Sequence, residues 1–273
     1  MKVAYQGEPG AYSERAVRSL FSGAEPLPCD TVRHAFSRVT SGEASFGVVP
    51  LENSQAGSVN ETYDLLSNTS LLRIVGESIV RVDHALLGVS GARLEDVRRA
   101  HSHWQALAQC EDFLSAMRIE PVPEHDTAGA ARKVAAAADP ASGAIASVDA
   151  AGISGLIVLA ERIQTEKENF TKFAVIGADD PGFGPADKTS IVMAVLDEPG
   201  SLLGALAPFA ARGINLHKIE SRPRHGAAFE YLMYVDFMAP AGDPEVEGAI
   251  EEVREHTSLL KVLGSYRSAD EPV

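Results

Sequence analysis

The chain has little cysteine, few aromatic residues and no excess of positive charge, and each shortage narrows its role. Its two cysteines, Cys29 and Cys110, lie far apart, with neither metal-ligand spacing nor a disulfide framework. Each is read as a buried small hydrophobe, and the compartment as a reducing cytoplasm. Lysine and arginine number 24 against 38 aspartates and glutamates, for a formal net charge of -14. That field repels phosphates and no basic cluster interleaved with aromatics offsets it, so nucleic acid is not an expected partner. No apolar run approaches the ~20 residues that a bilayer requires, and Met1-Lys2-Val3-Ala4-Tyr5 opens a strand rather than a signal peptide. Also missing are a Gly-x-Ser-x-Gly elbow, a dinucleotide fingerprint at Gly7-Glu8-Pro9-Gly10, a phosphate loop after a strand and any internal repeat. His101 and His103 stand at strand spacing, but no cysteine or carboxylate completes a metal set. The expectation is an enzyme that uses no metal, no cofactor and no obvious covalent nucleophile.

What is present fits two medium domains. The hydrophobic share of 45% is ordinary for a globular chain with a sizeable core. From Lys2 to about Ile176 strands and helices alternate, which favours α/β architecture with ligands at the carboxyl ends of strands. Helices are expected around Ala16, Val17, Leu20 and Phe21, and around Val32, Ala35, Phe36 and Val39. The strand Phe46-Gly47-Val48-Val49-Pro50 then delivers Glu52-Asn53-Ser54-Gln55-Ala56-Gly57-Ser58 into a loop. Polar side chains at a strand end, with glycines permitting close backbone approach, suit a small polar ligand.

A second lobe is expected from about residue 81 to 156. Its run His101-Ser102-His103-Trp104-Gln105-Ala106-Leu107-Ala108-Gln109-Cys110 reads as a strand end followed by a helix start, with Ser102 at a potential anion site and Gln109 further along. Asp126-Thr127-Ala128-Gly129 repeats the idea, with an acidic or hydroxyl cap before an alanine-rich helix. A dianion in so acidic a protein needs a local lysine, arginine or helix N-terminus. Glu168-Asn169-Phe170-Thr171-Lys172-Phe173 places a hydroxyl and an ammonium just before an apolar strand. Neighbours in a strand point to opposite faces, so Thr171 and Lys172 need not share one pocket. Taken alone, the pair reads as a β-branched strand residue beside a surface lysine.

Residues 179–187, with Asp179-Asp180-Pro181-Gly182-Phe183-Gly184-Pro185, break any regular element and read as a linker. Beyond it, residues 188–268 follow a βαββαβ pattern. Its strand Thr189–Val195 ends at Asp197-Glu198-Pro199-Gly200, and a helix Ser201–Arg212 follows. Strands Ile214–Arg222 and Phe229–Phe237, helix Pro244–Glu255 and strand Leu259–Tyr266 complete it. Ser201 is placed as N-cap, Leu202, Leu203, Leu206 and Phe209 as one buried face, and Gly213 as the left-handed stop.

Three ordered segments, Gly200-Ser201-Leu202-Leu203-Gly204-Ala205-Leu206, Gly213-Ile214-Asn215-Leu216 and Glu220-Ser221-Arg222-Pro223, resemble the ACT domain. Singly, Asn215 reads as a turn residue and Arg222 as a solvated edge charge; together the segments outweigh that. Across nearly the whole chain, Tyr5-Gln6-Gly7, Gly10-Ala11-Tyr12-Ser13-Glu14, Val49-Pro50-Leu51-Glu52-Asn53-Ser54, Ser102-His103 with Gln105 to Cys110, and Thr171-Lys172-Phe173 resemble the prephenate dehydratase family. The resemblance implies a two-lobed catalytic region over residues 1–178, like periplasmic binding proteins, followed by a ferredoxin-like ACT domain. It implies conversion of prephenate to phenylpyruvate, carbon dioxide and water, with Thr171 at the departing hydroxyl and Asn53, Ser102, Gln109, Lys172 and Phe173 binding substrate. It also implies L-phenylalanine as effector at Gly204, Ala205, Leu206, Asn215, Leu216, Glu220, Ser221, Arg222 and Pro223, and assembly into homodimers or homotetramers. Two departures stand out: lysine at 172 where the family has arginine, which loses the planar two-pronged grip, and Trp104 where it has proline. The rival readings are an arogenate dehydratase and, from another class, a non-catalytic amino-acid-binding regulator.

Overall fold

The computed structural model describes residues 1–224, 230–269 and 272–273. The chain opens with β1 (Lys2–Gln6), α1 (Tyr12–Leu20), β2 (Glu25–Cys29), α2 (Val32–Thr40), β3 (Phe46–Asn53), β4 (Gly57–Ser58), α3 (Asn60–Asn68) and β5 (Arg73–Arg81). It continues with β6 (Ala85–Gly88), β7 (Arg99–His103), α4 (Trp104–Gln109), α5 (Glu111–Met117), β8 (Glu120–Glu124), α6 (Thr127–Ala137), β9 (Ser142–Ala146), α7 (Val148–Ser154), β10 (Ile157–Ala160) and β11 (Phe170–Gly177). The last elements are β12 (Lys188–Val195), α8 (Ser201–Ala211), β13 (Leu216–Pro223), β14 (Tyr231–Phe237), α9 (Pro244–Arg254) and β15 (Thr257–Tyr266). Two compact units result. One holds Met1–Thr62 and Ser78–Ala174 with residues 272–273; the other holds Tyr63–Glu77 and residues 175–269.

The first unit is mixed α/β and has two lobes. In the first lobe the strand order is β2-β1-β3-β11-β5, with β1 parallel to β2 and β3. Val3, Ala4, Val48 and Val49 are wholly buried, as expected for parallel strands covered on both faces. Thr31 caps α2 by accepting from the His34 backbone N–H at 3.1 Å. The stretch expected to be a loop after Pro50 is strand as far as Asn53, and it turns back through Gly57 (φ +79°) to pair with β4. In the second lobe the order is β10-β6-β9-β7-β8, and every residue of β6 and β9 is buried. That lobe runs on past 156, because β10 pairs antiparallel with β6. The lobes are pinned at Gly10, whose φ is +90° and where a Cβ would lie 2.8 Å from Ala150 Cα. Ser147 Oγ donates to the Gly10 carbonyl at 2.7 Å in the same place.

The second unit carries the βαββαβ element order with strand order β13-β14-β12-β15, all neighbours antiparallel. Phe229, where the third strand was expected to start, lies outside the described residues; the strand is described from Tyr231. Two local expectations about α8 are corrected. Gly200, with φ +91° and no side-chain bond, occupies the cap position, and Ser201 is already helical. The buried face is Ser201, Ala205, Pro208 and Phe209, whereas Leu202 and Leu203 are exposed, Leu203 to 73%. This helix is apolar nearly all round, so periodicity alone does not choose the inward face. Gly213 does take the left-handed conformation, at φ +66°.

Residues 63–77 belong to this unit through specific contacts. Tyr63 packs on Tyr234 with ring centroids 4.6 Å apart, and the Tyr234 hydroxyl lies 2.9 Å from Ser67 Oγ. Lys261 donates to the carbonyls of Leu66, Ser67 and Thr69 at the end of α3. Lys188 is buried between Glu77 at 2.7 Å and Asp236 at 3.4 Å. Ser190 Oγ donates to Asp236 at 2.6 Å and lies 2.8 Å from the Tyr266 hydroxyl. Burial works against the Lys188 charge, but Asp236 and Glu77 outweigh it and raise its pKa.

Candidate active site

A cavity of about 520 Å³ lies between the two lobes of the first unit. The first lobe supplies the end of β1 at Gln6 and Gly7, the starts of α1 and α2 at Tyr12, Ser13 and Val32, and Asn53 with the turn beyond it. Thr171 and Phe173 reach it from β11, and His84 from the chain entering β6. The second lobe supplies His103 to Ala106 and Gln109, with His125, Asp126 and Thr127 at the start of α6. Among the described residues no lysine or arginine lines it. The starts of α1, α2 and α6 therefore bring the favourable field for an anion. Asp126 is tied back as the α6 cap, accepting from the Gly129 N–H at 2.7 Å.

The expected residues separate into those the fold brings together and those it does not. Asn53 Nδ2 lies 3.0 Å from Thr171 Oγ1, 2.8 Å from Asn169 Oδ1 and 3.1 Å from the Phe170 carbonyl. Its own Oδ1 accepts from the N–H groups of Gln55 at 3.1 Å and Ala56 at 3.0 Å. Gln109 Oε1 receives Asn169 Nδ2 at 3.0 Å and lies 2.8 Å from His84 Nε2. Thr171 and Phe173 line the cavity while Lys172 does not, as strand alternation requires. Ser102 is wholly buried, donates to the Ile145 carbonyl at 2.6 Å and is absent from the cavity wall.

Sequence reading missed His84, Tyr12 and Asn169 as members of this wall or network. Burial lowers the His84 pKa, and the Tyr12 hydroxyl donates to the Asp83 carbonyl at 2.6 Å with its own pKa pushed up by burial. Asn169 is fully buried. The signal for His84 was faint: one of two adjacent polar residues, with Asp83, before the all-apolar run of β6. His101 is paired with Glu124 at 2.9 Å, and Trp104 forms part of the cavity rim at 64% exposure. Cys29 and Cys110 are free and buried, and burial pushes the Cys110 thiol up to about 12.

In the second unit, Ala205 is packed into the core with Ile191, Phe209 and Val235, and Leu206 lies against it. Gly204 faces the His256 ring, which a Cβ would meet at 2.6 Å. On β13, at the edge of the sheet, Leu216, Glu220 and Arg222 share the half-buried face, and Ser221 and Pro223 are exposed. Asn215, just before the strand, is exposed. Arg222 Nη2 donates to Glu220 Oε1 at 2.5 Å, and the Arg222 Nε is buried with no hydrogen-bond partner among the described residues.

A two-lobed α/β unit with a polar cavity between its lobes, joined to a βαββαβ unit, defines a small-molecule enzyme carrying a regulatory-type module. A family model for prephenate dehydratase matches residues 3–181, and one for the ACT domain matches residues 189–255. The chain belongs to the prephenate dehydratase family, whose activity is that of a hydro-lyase. Arogenate dehydratase 2 of Petunia hybrida is 41% identical over 284 residues, covering 98% of this chain and 72% of the relative. A solved prephenate dehydratase from Arthrobacter aurescens in complex with L-Phe is 33% identical with a TM-score of 0.89, covering 100% of this chain and 92% of its own. A structure described as GqqA, a novel type of quorum quenching acylase, is also 33% identical at TM-score 0.89, covering 99% of each chain. No helix among the described residues is long and apolar enough to cross a membrane.

Proposed function

We propose that the chain converts prephenate to phenylpyruvate in its inter-lobe cavity and answers to L-phenylalanine through its second unit. One observation carries the catalytic reading. Asn53 donates to Thr171 Oγ1 at 3.0 Å, so that oxygen is occupied as an acceptor and its own O–H remains as a donor at the cavity wall. In the reaction the bond from ring to carboxylate breaks and carbon dioxide leaves. Its electron pair enters the ring as the ring C–O bond breaks, and the hydroxyl departs as water with one proton taken up from solvent. Aromatisation drives the step, so the protein has to orient the dianion and aid departure of the hydroxyl. Thr171 hydrogen-bonds that hydroxyl and relays the proton; a threonine is too weak an acid to act alone. Gln109 offers an amide contact to substrate, Asn53 acts by orienting Thr171, Phe173 packs on the ring, and the helix starts offset the negative field. Ser102 acts through placement of β7, and Lys172 from outside the cavity wall.

The same cavity suits arogenate, whose ammonium replaces the keto group. Asp126 at the rim and the 41% identity to an arogenate dehydratase are the grounds for that second reading, which stands behind the first. Incubating purified protein with each substrate and separating phenylpyruvate from phenylalanine decides between them; product from neither removes both.

For regulation, the Glu220 to Pro223 segment on an edge strand, the unpartnered Arg222 Nε and the L-Phe complex of the Arthrobacter relative support an effector site at β13 and the start of α8. Asn215 and Leu216 border it, and Gly204 to Leu206 shape it from α8. An unpaired edge and exposed Ile219 also suit a second copy, giving a homodimer or homotetramer. The setting is cytoplasmic, consistent with two free, buried thiols. Isothermal titration without L-phenylalanine binding would remove the effector.

A further inference from the structure

Asn53, Asn169, Gln109 and His84 form a chain whose polarity can be worked out from one end to the other. At one end Asn53 Oδ1 accepts two backbone N–H groups, from Gln55 and Ala56, which fixes its amide with Nδ2 toward Asn169 and Thr171. Asn169 must then present Oδ1 to Asn53, which turns its own Nδ2 toward Gln109. Gln109 must present Oε1 to Asn169, and the same oxygen lies 2.8 Å from His84 Nε2. Two acceptors cannot face each other at that distance, so His84 Nε2 carries a proton. The opposite tautomer would require Gln109 to reverse, then Asn169, then Asn53, against two backbone donors.

We infer that His84 is a positioning residue: as the Nε2–H form it holds Gln109 by its oxygen and so turns the Gln109 N–H₂ group to the cavity as a donor. The ring is itself held. Its backbone N–H donates to Gln164 Oε1 at 3.0 Å, and fully buried Gln164 donates to Asp83 Oδ1 at 2.8 Å and to the Val82 carbonyl at 3.3 Å. Tyr12 packs edge-on at 6.0 Å and 77°, and its hydroxyl, committed to Asp83, lies 3.5 Å from His84 Nδ1. Burial keeps the imidazole uncharged near neutrality. Gln109 Oε1 is thus doubly occupied, and a flipped amide would turn an oxygen toward an anionic substrate.

This rests on the proposed reaction only for its kinetic consequence. Long-range ¹H–¹⁵N NMR of the intact wild-type protein reads the tautomer directly; a neutral His84 protonated at Nδ1 overturns the inference even if the enzyme is inactive on both substrates. Kinetics supply the second arm. His84→Gln places an amide N–H near the original Nε2 and is expected to keep KM near wild type. His84→Asn ends short, near the Nδ1 position, and is expected to raise KM about tenfold while kcat changes less than about threefold, the loss of one oriented donor from binding. Equal KM values for the two variants, or a collapse of kcat at unchanged KM, overturn the role. Inactivity of the wild type on prephenate and arogenate instead removes the proposed reaction and leaves the tautomer result standing.

Discussion

The two units bury polar groups in opposite ways. In the first, Asn53, Asn169, Gln109 and uncharged His84 form a chain of amide and imidazole contacts in which each dipole settles the next. In the second, an ammonium sits between two carboxylates, with Ser190 donating to Asp236 and the Tyr266 hydroxyl in turn beside Ser190. The neutral chain carries direction, because reversing one amide turns a bond into a repulsion. The ionic cluster carries strength, because charge attracts whichever way a rotor turns, and its cost appears only when one partner is lost. One arrangement suits aiming donors at a ligand and the other suits holding segments together.

The largest expected effect lies where the neutral chain ends. Thr171→Ala should lower kcat by about 10²- to 10⁴-fold with an unchanged melting temperature, measured by steady-state kinetics beside calorimetry; near-normal turnover would remove the hydroxyl from the mechanism. The ionic cluster should behave inversely. Lys188→Met leaves Glu77 and Asp236 buried together and should cost about 3–5 kcal/mol in urea unfolding. Adding Glu77→Leu to it should recover part of that loss, and no recovery would show that packing rather than charge dominates. The stability from Lys188 is fully present below the ordinary lysine range, because its folded pKa is raised, and is lost only as pH climbs through that raised value.

Two smaller effects sharpen the contrast. Lys261→Met should cost about 1 kcal/mol, since the ammonium is partly solvated and its partners are the carbonyls of Leu66, Ser67 and Thr69. Glu124 is held below the usual glutamate range by hydrogen bonds from Lys133 and then His101. Its contribution is present above the unfolded value and lost as pH falls through the lower folded one. Glu124→Gln should therefore flatten the acid limb of the melting profile by less than about 1 kcal/mol; an unchanged profile would remove the pair from the stability of the second lobe.

Much of this arrangement was legible from local pattern. The elements of the second unit fall within a few residues of their expected places because alternation and helical spacing are short-range properties. Asp126 was readable as a helix start for the same reason. Partners distant in sequence were not readable. Nothing near His84 announces Gln109, and nothing near Ser102 announces the Ile145 carbonyl that takes its hydroxyl. Leu202 and Leu203 misled because a helix apolar on every side gives the period no phase. Thr171 and Lys172 fell on different sides of β11 by the simplest rule available, two residues per repeat.

The division of the chain has a practical consequence for anyone who would handle the C-terminal module by itself. A fragment cut at the linker and beginning near Lys188 would leave behind Tyr63–Glu77. Its Lys188 would have lost Glu77, its Tyr234 the ring and hydroxyl that cover it, and its Lys261 the helix end it closes. A module usually regarded as portable is here stitched to a borrowed segment, and a transplant would have to carry that segment with it.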